Sequence, residues 1–243
     1  MKISVLGATG GTGQAIVRQA LEAGHEVTAL VRRPEALQIT GPRLSVLVGD
    51  ARDPDTIEQL VAGRHAVICS LGIGVSSTDR GEINDEERPD VCAVSTKRLF
   101  AAMPAHGVKR IVLMSAHGVG GSNDGSRYVV WLRRLVENRL LDKDEMEAFI
   151  ASSGAPIDWT VVRNPVIYDG PRGRPHEVYT RIELNGSSRI TYADLAAFVI
   201  AEVETPRHIG QFLTITEPLD DPALMAGAEI AEVVVARLIM REA

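Results

Sequence analysis

One stretch, Gly7-Ala8-Thr9-Gly10-Gly11-Thr12-Gly13, constrains this chain more than any other. It follows a short apolar run, Ile3–Leu6, and precedes Gln14–Ala23, which is rich in Ala, Leu, Gln and Glu and stops at Gly24. Strand, tight turn and helix must therefore follow one another directly. In the spacing G-x-x-G-x-x-G one glycine lets the chain turn, one lets the backbone approach a pyrophosphate, and one lets the helix pack on the strand. The free N–H groups that open the helix then face the phosphates. The segment predicts a dinucleotide cradle built from Gly7, Thr9, Gly10, Gly11, Thr12 and Gly13.

The rest of the chain repeats the strand–helix rhythm. Further β-branched runs are Val27–Val31, Leu44–Val48, Ala66–Cys69, Ile111–Met114 and Trp159–Val162, and helical stretches are Pro54–Ala62, Asp90–Ala105 and Asp142–Ser152. Asp53 and Pro54 read as an N-cap and first helical position, and Gly63 as a stop. Nearly continuous apolar strands alternating with helices imply strands buried on both sides. The fold class is α/β: a Rossmann-like, doubly wound, mostly parallel sheet with helices on both faces, in one domain over residues 1–243. After Pro165 the rhythm breaks. Residues 168–190 carry Gly170, Pro171, Gly173, Pro175 and Gly186, so they read as a loop with one short strand, a lid over the substrate side. A helix at Tyr192–Val203, a strand at Gln211–Ile215 and an apolar terminal helix at Pro222–Met240, packed on its own subunit, are expected to follow.

Composition narrows the function. The 26 basic and 32 acidic side chains give a net charge of −6, which argues against nucleic-acid binding. Two cysteines, Cys69 and Cys92, make neither a disulfide framework nor a zinc set, and no metal site is expected. A cytoplasmic protein is the simplest expectation, with no signal peptide before Lys2–Leu6 and no apolar run approaching the roughly 18 residues of a membrane span. The acids of Asp79–Asp90 read as a charged helix entry, stabilised by the helix dipole.

The second strand bears on which dinucleotide is held. An Asp or Glu usually ends it to hold the ribose 2′-OH of NAD. Here Arg32 and Arg33 stand at that place, and guanidinium forks suit a 2′-phosphate, so NADP(H) is expected. Asp50 and Ala51 end the third strand, where a carboxylate can accept from the adenine amino group. Leu71 and Gly72 end the fourth, where the backbone can approach the adenosine.

With these residues, His106-Gly107-Val108-Lys109-Arg110-Ile111-Val112, Trp159–Pro165 and Ile190–Ala196 complete a pattern over residues 1 to about 215. The chain resembles the atypical short-chain dehydrogenase/reductases, a group that includes NmrA-like proteins and biliverdin-IXβ and flavin reductases. The resemblance implies a Rossmann core, NADP(H) and often reductase activity. It also implies a serine beside the nicotinamide, here Ser115, and a Lys or His facing the cofactor, here Lys143. Glu147, four residues on, offers Lys143 a simple helical ion pair. Pro165 and Val166 end the sixth strand, where backbone groups can contact the nicotinamide carboxamide. His117 has a side chain suited to proton transfer. The superfamily's Tyr-x-x-x-Lys pair is absent at Tyr128, because Leu132 stands where the lysine belongs, and such a tyrosine stays near its ordinary pKa of about 10. A reductase for a conjugated acceptor, a flavin or quinone, needs no strong acid and fits best. The alternatives are an NmrA-like redox sensor that binds NADP(H) without turnover, and a pathway reductase or isomerase using Ser115, His117 or Lys143.

Overall fold

The computed structural model describes residues 1–72, 89–219, 225 and 228–234, the last six by backbone alone. The chain runs β1 (Lys2–Leu6), α1 (Gly11–Glu22), β2 (Glu26–Val31), β3 (Leu44–Val48), α2 (Pro54–Val61), β4 (Ala66–Cys69), α3 (Val91–Ala105), β5 (Arg110–Ala116) and α4 (Arg127–Ser152). It continues through β6 (Asp158–Asn164), β7 (Val166–Tyr168), β8 (His176–Arg181), β9 (Arg189–Thr191), α5 (Tyr192–Glu204), β10 (Gln211–Thr216) and β11 (Glu229–Val234). Among the described residues nine strands form one sheet in the order β11-β8-β10-β6-β5-β4-β1-β2-β3. The run from β3 to β10 is parallel throughout, and β8 and β11 add to it antiparallel.

The chain moves outward from β1 to β2 and β3, then returns to the other side of β1 with β4, β5 and β6. The reversal between β1 and β4 opens a crevice beyond their carboxyl ends, where ligands of such sheets bind. Ile16 and Val17 of α1 and Leu195 and Val199 of α5 cover one face. Ile57 and Leu60 of α2, Leu99 and Met103 of α3, and Met146 and Ile150 of α4 cover the other. The expected class, with helices on both faces, is the one observed.

Local chemistry sets the element ends. Gly24 turns α1 off with a φ of +88°, a conformation that favours glycine. Asp53 accepts from the Thr56 amide at 2.9 Å and starts α2, and Thr191 does the same for α5 through the Asp194 amide at 2.9 Å.

Three expectations need correction. The helix read at Asp142–Ser152 begins at Arg127, capped by Ser126, and is broken at Val136, whose φ of −139° and ψ of 36° leave the helical region. Its first half holds Val129, Val130 and Trp131, residues that blur a helical signal. The segment 168–190 is no plain loop. It contains β8, which joins the main sheet, together with the last residue of β7 and the first two of β9. The terminal helix expected at Pro222–Met240 is replaced over Glu229–Val234 by β11, which pairs with the open edge of β8. Ile230, Val233 and Val234 are β-branched and suit a strand; residues 220–224 and 235–243 lie outside the described residues.

The acidic entry expected for α3 is described only at its end, Asp90. Asp79, Glu82, Asp85, Glu86 and Glu87 lie outside the described residues. Asp90 stands at the N-cap without bonding a first-turn amide. That task falls to buried Asp142 of α4, whose carboxylate accepts from the Cys92 and Ala93 amides, both at 2.9 Å. Two charge-assisted bonds of this kind contribute about 3–6 kcal/mol together. Asp142→Ala is expected to lower unfolding free energy by about that amount, and Asp142→Asn, which keeps one acceptor, by about half. Urea titration checks the sum, and hydrogen exchange should show the loss of protection concentrated at the start of α3.

Candidate active site and cofactor cradle

The four glycines of the first turn divide their tasks. Gly7, at a φ of +75°, passes so close to β4 that a Cβ would lie 2.3 Å from the Ser70 carbonyl oxygen. A Cβ on Gly13 would lie 2.0 Å from the Gly7 carbonyl oxygen, so α1 can sit on β1 only with glycine there. A Cβ on Gly11 would strike the Tyr192 ring of α5 at 2.6 Å. Gly10 is the exception. Its Cβ would meet only the Gly7 carbonyl oxygen, at 3.6 Å, and its φ of −75° suits any residue. The empty side of Gly10 faces a cavity of about 510 Å³. This is the shape that a pyrophosphate on the N-terminus of α1 requires.

That cavity gathers residues expected from the sequence at the adenosine side. Gly7, Thr9 and Gly10 line it together with Arg32, Asp50, Ala51, Leu71 and Gly72. Arg33 and Thr12 stand outside it. Arg33 is exposed before a short turn of 3-10 helix, and Thr12 is buried in α1. A further guanidinium, that of Arg52, lines the cavity and was not singled out from the sequence. Its backbone amide and Nε donate to Asp50 Oδ1 at 2.8 and 3.1 Å, and its Nη2 donates to Oδ2 at 2.8 Å. These bonds hold the Asp50 carboxyl down at about 2. Asp50 is thus ionised and fixed in orientation. An arginine two residues after the strand-end acid was the available signal.

The other end of the crevice gathers Ser115, His117, Lys143, Pro165 and Val166. Lys143 bridges strands rather than pairing along its helix. Its Nζ donates to the carbonyl oxygens of Leu71 at 3.1 Å and Met114 at 2.9 Å, which ties the chain beyond β4 to β5. The expected partner Glu147 is buried against Arg163 of β6, with Nη2 to Oε2 at 2.6 Å and Nε to Oε1 at 3.1 Å. The Arg163 guanidinium also lies over the Phe212 ring, 4.9 Å from its centroid. Glu147 in turn sits where a Cβ of Gly120 would be, 2.3 Å from its Oε2, so the loop after β5 rests directly on this ion pair. A charged residue inside the apolar run Trp159–Val162-Arg163 was the overlooked signal.

Ser115 and His117 are 1% exposed, yet the Ser115 Oγ and both His117 ring nitrogens have no hydrogen-bond partner among the described residues. Buried polar atoms are ordinarily paired. The His117 backbone is fixed by its amide, which donates to the Asn164 carbonyl at 2.9 Å. Burial, with a smaller push from the Arg163 charge, lowers the imidazole to about 4. The sequence pointed to an ordinary, titrating histidine; the fold makes it a neutral one at pH 7. Tyr128 stacks on His117 with ring centroids 6.4 Å apart. Burial raises its phenol above the ordinary value rather than leaving it there, which weakens it further as a proton donor. Cys69 and Cys92 are buried thiols, and burial pushes Cys92 up to about 12. Among the described residues there is no metal-ligating cluster and no helix long and apolar enough to cross a membrane.

A doubly wound sheet with a glycine cradle at its switch point defines a nucleotide-binding Rossmann protein. Residues 7–206 match the NAD(P)H-binding family, and the chain belongs to it. It is 36% identical over 121 residues to the 2-alkyl-3-oxoalkanoate reductase of Stenotrophomonas maltophilia; this stretch is 49% of the chain and 34% of that longer relative. Its fold is similar to that of the anaerobilin reductase ChuY of Escherichia coli O157:H7, with a TM-score of 0.73 and 19% identity over 91% of this chain and 100% of that one. A candidate NADH-flavin reductase from Streptococcus pneumoniae gives a TM-score of 0.69 at 20% identity, over 90% of this chain and all of that one.

The buried imidazole has a measurable signature. Its folded pKa lies below its unfolded value near 6.5, so the unfolded chain takes up the proton first as pH falls. Stability therefore drops from about pH 6.5 downward and levels off below about 4. Wild type is expected to lose about 3 kcal/mol more than His117→Asn over that window, and no more than the variant above pH 7.5. Chemical denaturation of both proteins across the range checks it.

Proposed function

We propose that the chain is an NADPH-dependent reductase that delivers hydride to a small conjugated acceptor, a flavin or a quinone. The observation that carries this reading is the pair of buried, unpartnered polar side chains, Ser115 and His117, at the carboxyl end of β5. They offer hydrogen bonds to a ligand in a place where no group is poised to give up a proton. The residues fit the cofactor. Gly10 opens on the cavity, Arg32 stands where a 2′-phosphate would lie, and Ser115, Lys143, Pro165 and Val166 surround the place for the nicotinamide. When bound, the reduced nicotinamide supplies the hydride.

The chain's own residues bind and orient. Lys143 holds the chain beyond β4 and β5 at a fixed spacing and keeps one ammonium N–H beyond the two it donates there. The Ser115 hydroxyl donates to an acceptor carbonyl. The neutral His117 ring gives or takes one hydrogen bond without changing charge. A conjugated acceptor spreads the incoming negative charge over its own ring and draws its proton from water, so contact and orientation are sufficient. The names of the relatives, reductases of oxoalkanoates, of anaerobilin and of flavin, support the reaction class.

The test is NADPH oxidation against a panel of flavins, quinones and simple enones. Turnover with flavin or quinone is expected. Its complete absence, with NADPH still bound, would favour the sensor. Ser115→Ala, His117→Ala and Lys143→Ala should each lower kcat/KM by about tenfold or less, the value of one neutral hydrogen bond. Tyr128→Phe should be nearly silent. A loss beyond a thousandfold in any of them, at unchanged NADPH affinity, would reveal true acid catalysis and overturn the passive mechanism.

The cradle gives a cleaner variant. Gly10→Val is expected to melt like wild type, because its Cβ would make only an ordinary contact with the Gly7 carbonyl oxygen at 3.6 Å, and to abolish NADPH binding. Arg32→Ala should reduce a preference for NADPH over NADH of about 10–100-fold, the worth of a charge-assisted bond. Fluorescence titration of both cofactors, beside a melting curve, decides each point.

A further inference from the structure

A second and larger cavity, about 1140 Å³, opens beside Val166 between β7, β9 and the chain after β10. It lies next to the nicotinamide place, because Arg189 is the register partner of Val166 across the β7–β9 pair. Neighbouring strands are about 4.8 Å apart, so the Arg189 side chain starts one strand from that place. Arg174 and Glu217 line the same cavity.

The three charges form a fixed cluster. Arg174 Nε donates to Glu217 Oε1 at 2.8 Å and its Nη2 to Oε2 at 3.3 Å; Arg189 Nε reaches Oε2 at 3.4 Å. The Tyr168 hydroxyl also donates to Glu217, and the Arg189 guanidinium stacks over the Tyr168 ring, 5.1 Å from its centroid. The backbone is anchored as well. The Gly173 and Arg174 amides donate to Asp194 at 2.7 and 3.3 Å, and the Glu217 amide donates to the Arg189 carbonyl at 2.8 Å. Burial raises the Glu217 carboxyl, but the bonds from Arg174 and Tyr168 outweigh it and hold the group below its usual range. Two cations thus share the Glu217 carboxylate in a preorganised mouth, and the buried Asp194 carboxylate lies behind Arg174. Both guanidiniums are about half exposed to the cavity, at 41% and 55%. Among the described residues, the Nη1 of Arg174 and both Nη groups of Arg189 donate to nothing.

We infer that this cavity receives an anionic arm of the acceptor, a phosphate or a carboxylate, bound by Arg174 and Arg189. The inference rests on the reductase reading above, with the acceptor's conjugated ring at Ser115 and Val166 and its charged tail between β7 and β9. Glu217 and Tyr168 hold the guanidiniums in place and keep them from collapsing on each other. Guanidiniums bind such oxyanions through paired N–H groups.

The experiment measures binding and turnover separately, with NADP⁺ saturating in the binding arm so that the cofactor cradle is filled. FMN is compared with riboflavin, and a carboxylated naphthoquinone with its methyl ester. At low salt the anionic member of a pair is expected to bind about tenfold tighter, a modest factor because the arginines are half exposed. The ratio should shrink as salt rises. Arg174→Gln and Arg189→Gln should each bring it towards unity with the uncharged member unaffected. Glu217→Gln should raise it, since one more positive charge then faces the arm; this variant adds no cavity and tests the idea even if an arginine variant folds poorly. A preference for FMN alone assigns a phosphate, and a preference for the acid alone a carboxylate. Equal affinity within both pairs, or no binding of any of the four, overturns the inference. An anion preference that follows the charge variants without NADPH oxidation would uphold the site and overturn the reductase reading instead.

Discussion

The closeness with which the chain passes itself at Gly7 governs the rest of the molecule. The carbonyl of Ser70 occupies the space of an absent Cβ, and the carbonyl of Gly7 occupies that of Gly13. β1, β4 and α1 are thereby drawn together at a single point. With any side chain at either glycine the strands would separate, the amides at the start of α1 would turn away, and the crevice would lose its floor. Gly11 extends the same constraint across the molecule, because α5 can press the Tyr192 ring against the turn only where no side chain intervenes. Three of the four glycines are therefore packing requirements, and Gly10 alone opens on the cavity. The motif is usually read as a phosphate site. In this chain it is first a packing requirement, from which the phosphate site follows.

The opposite wall of the crevice depends on α4. Within six residues this helix sends Asp142 to the start of α3, Lys143 to the chain beyond β4 and to β5, and Glu147 to Arg163 of β6. Each contact uses an ionised group to hold backbone or a buried counter-charge. Together they fix the positions of the strand ends around Ser115. A buried ion pair adds little to stability unless its geometry is good and its remaining atoms are bonded. The Glu147–Arg163 pair has both, and the loop after β5 lies against it through Gly120. The charges of this region are spent on alignment, which leaves the reacting end itself electrically quiet.

Much of this was legible in the residues. The strand–turn–helix start, the alternation up to β6, the caps at Asp53 and Gly24 and the placement of Arg32 and Asp50 are local patterns, and local patterns survive folding. Three of the failures are cases in which a distant partner decides. Lys143 looked paired with Glu147 because helical spacing is visible in sequence, whereas the Leu71 carbonyl and Arg163 are not. His117 looked like a titrating, proton-transfer group because its burial beside Tyr128 comes from residues distant in the chain or packed by the fold. β11 looked helical because its apolar residues have no β period of their own, and only the open edge of β8 makes them a strand. The 168–190 segment was hidden by its glycines and prolines, which mark the turns but not the short strands between them.

The break at Val136 gives the two parts of α4 different surroundings. The inner part touches three neighbouring elements, so a change there disturbs several at once. The outer part carries Tyr128 against His117 and presents Val130, Trp131 and Leu135 to the outside. Across the break Arg133 donates to Asp144 at 2.8 Å, so the two parts stay tied by side chains where the helical register is interrupted. The kink divides the helix into a length that bears on the surroundings of His117 and a length that aligns the strand ends.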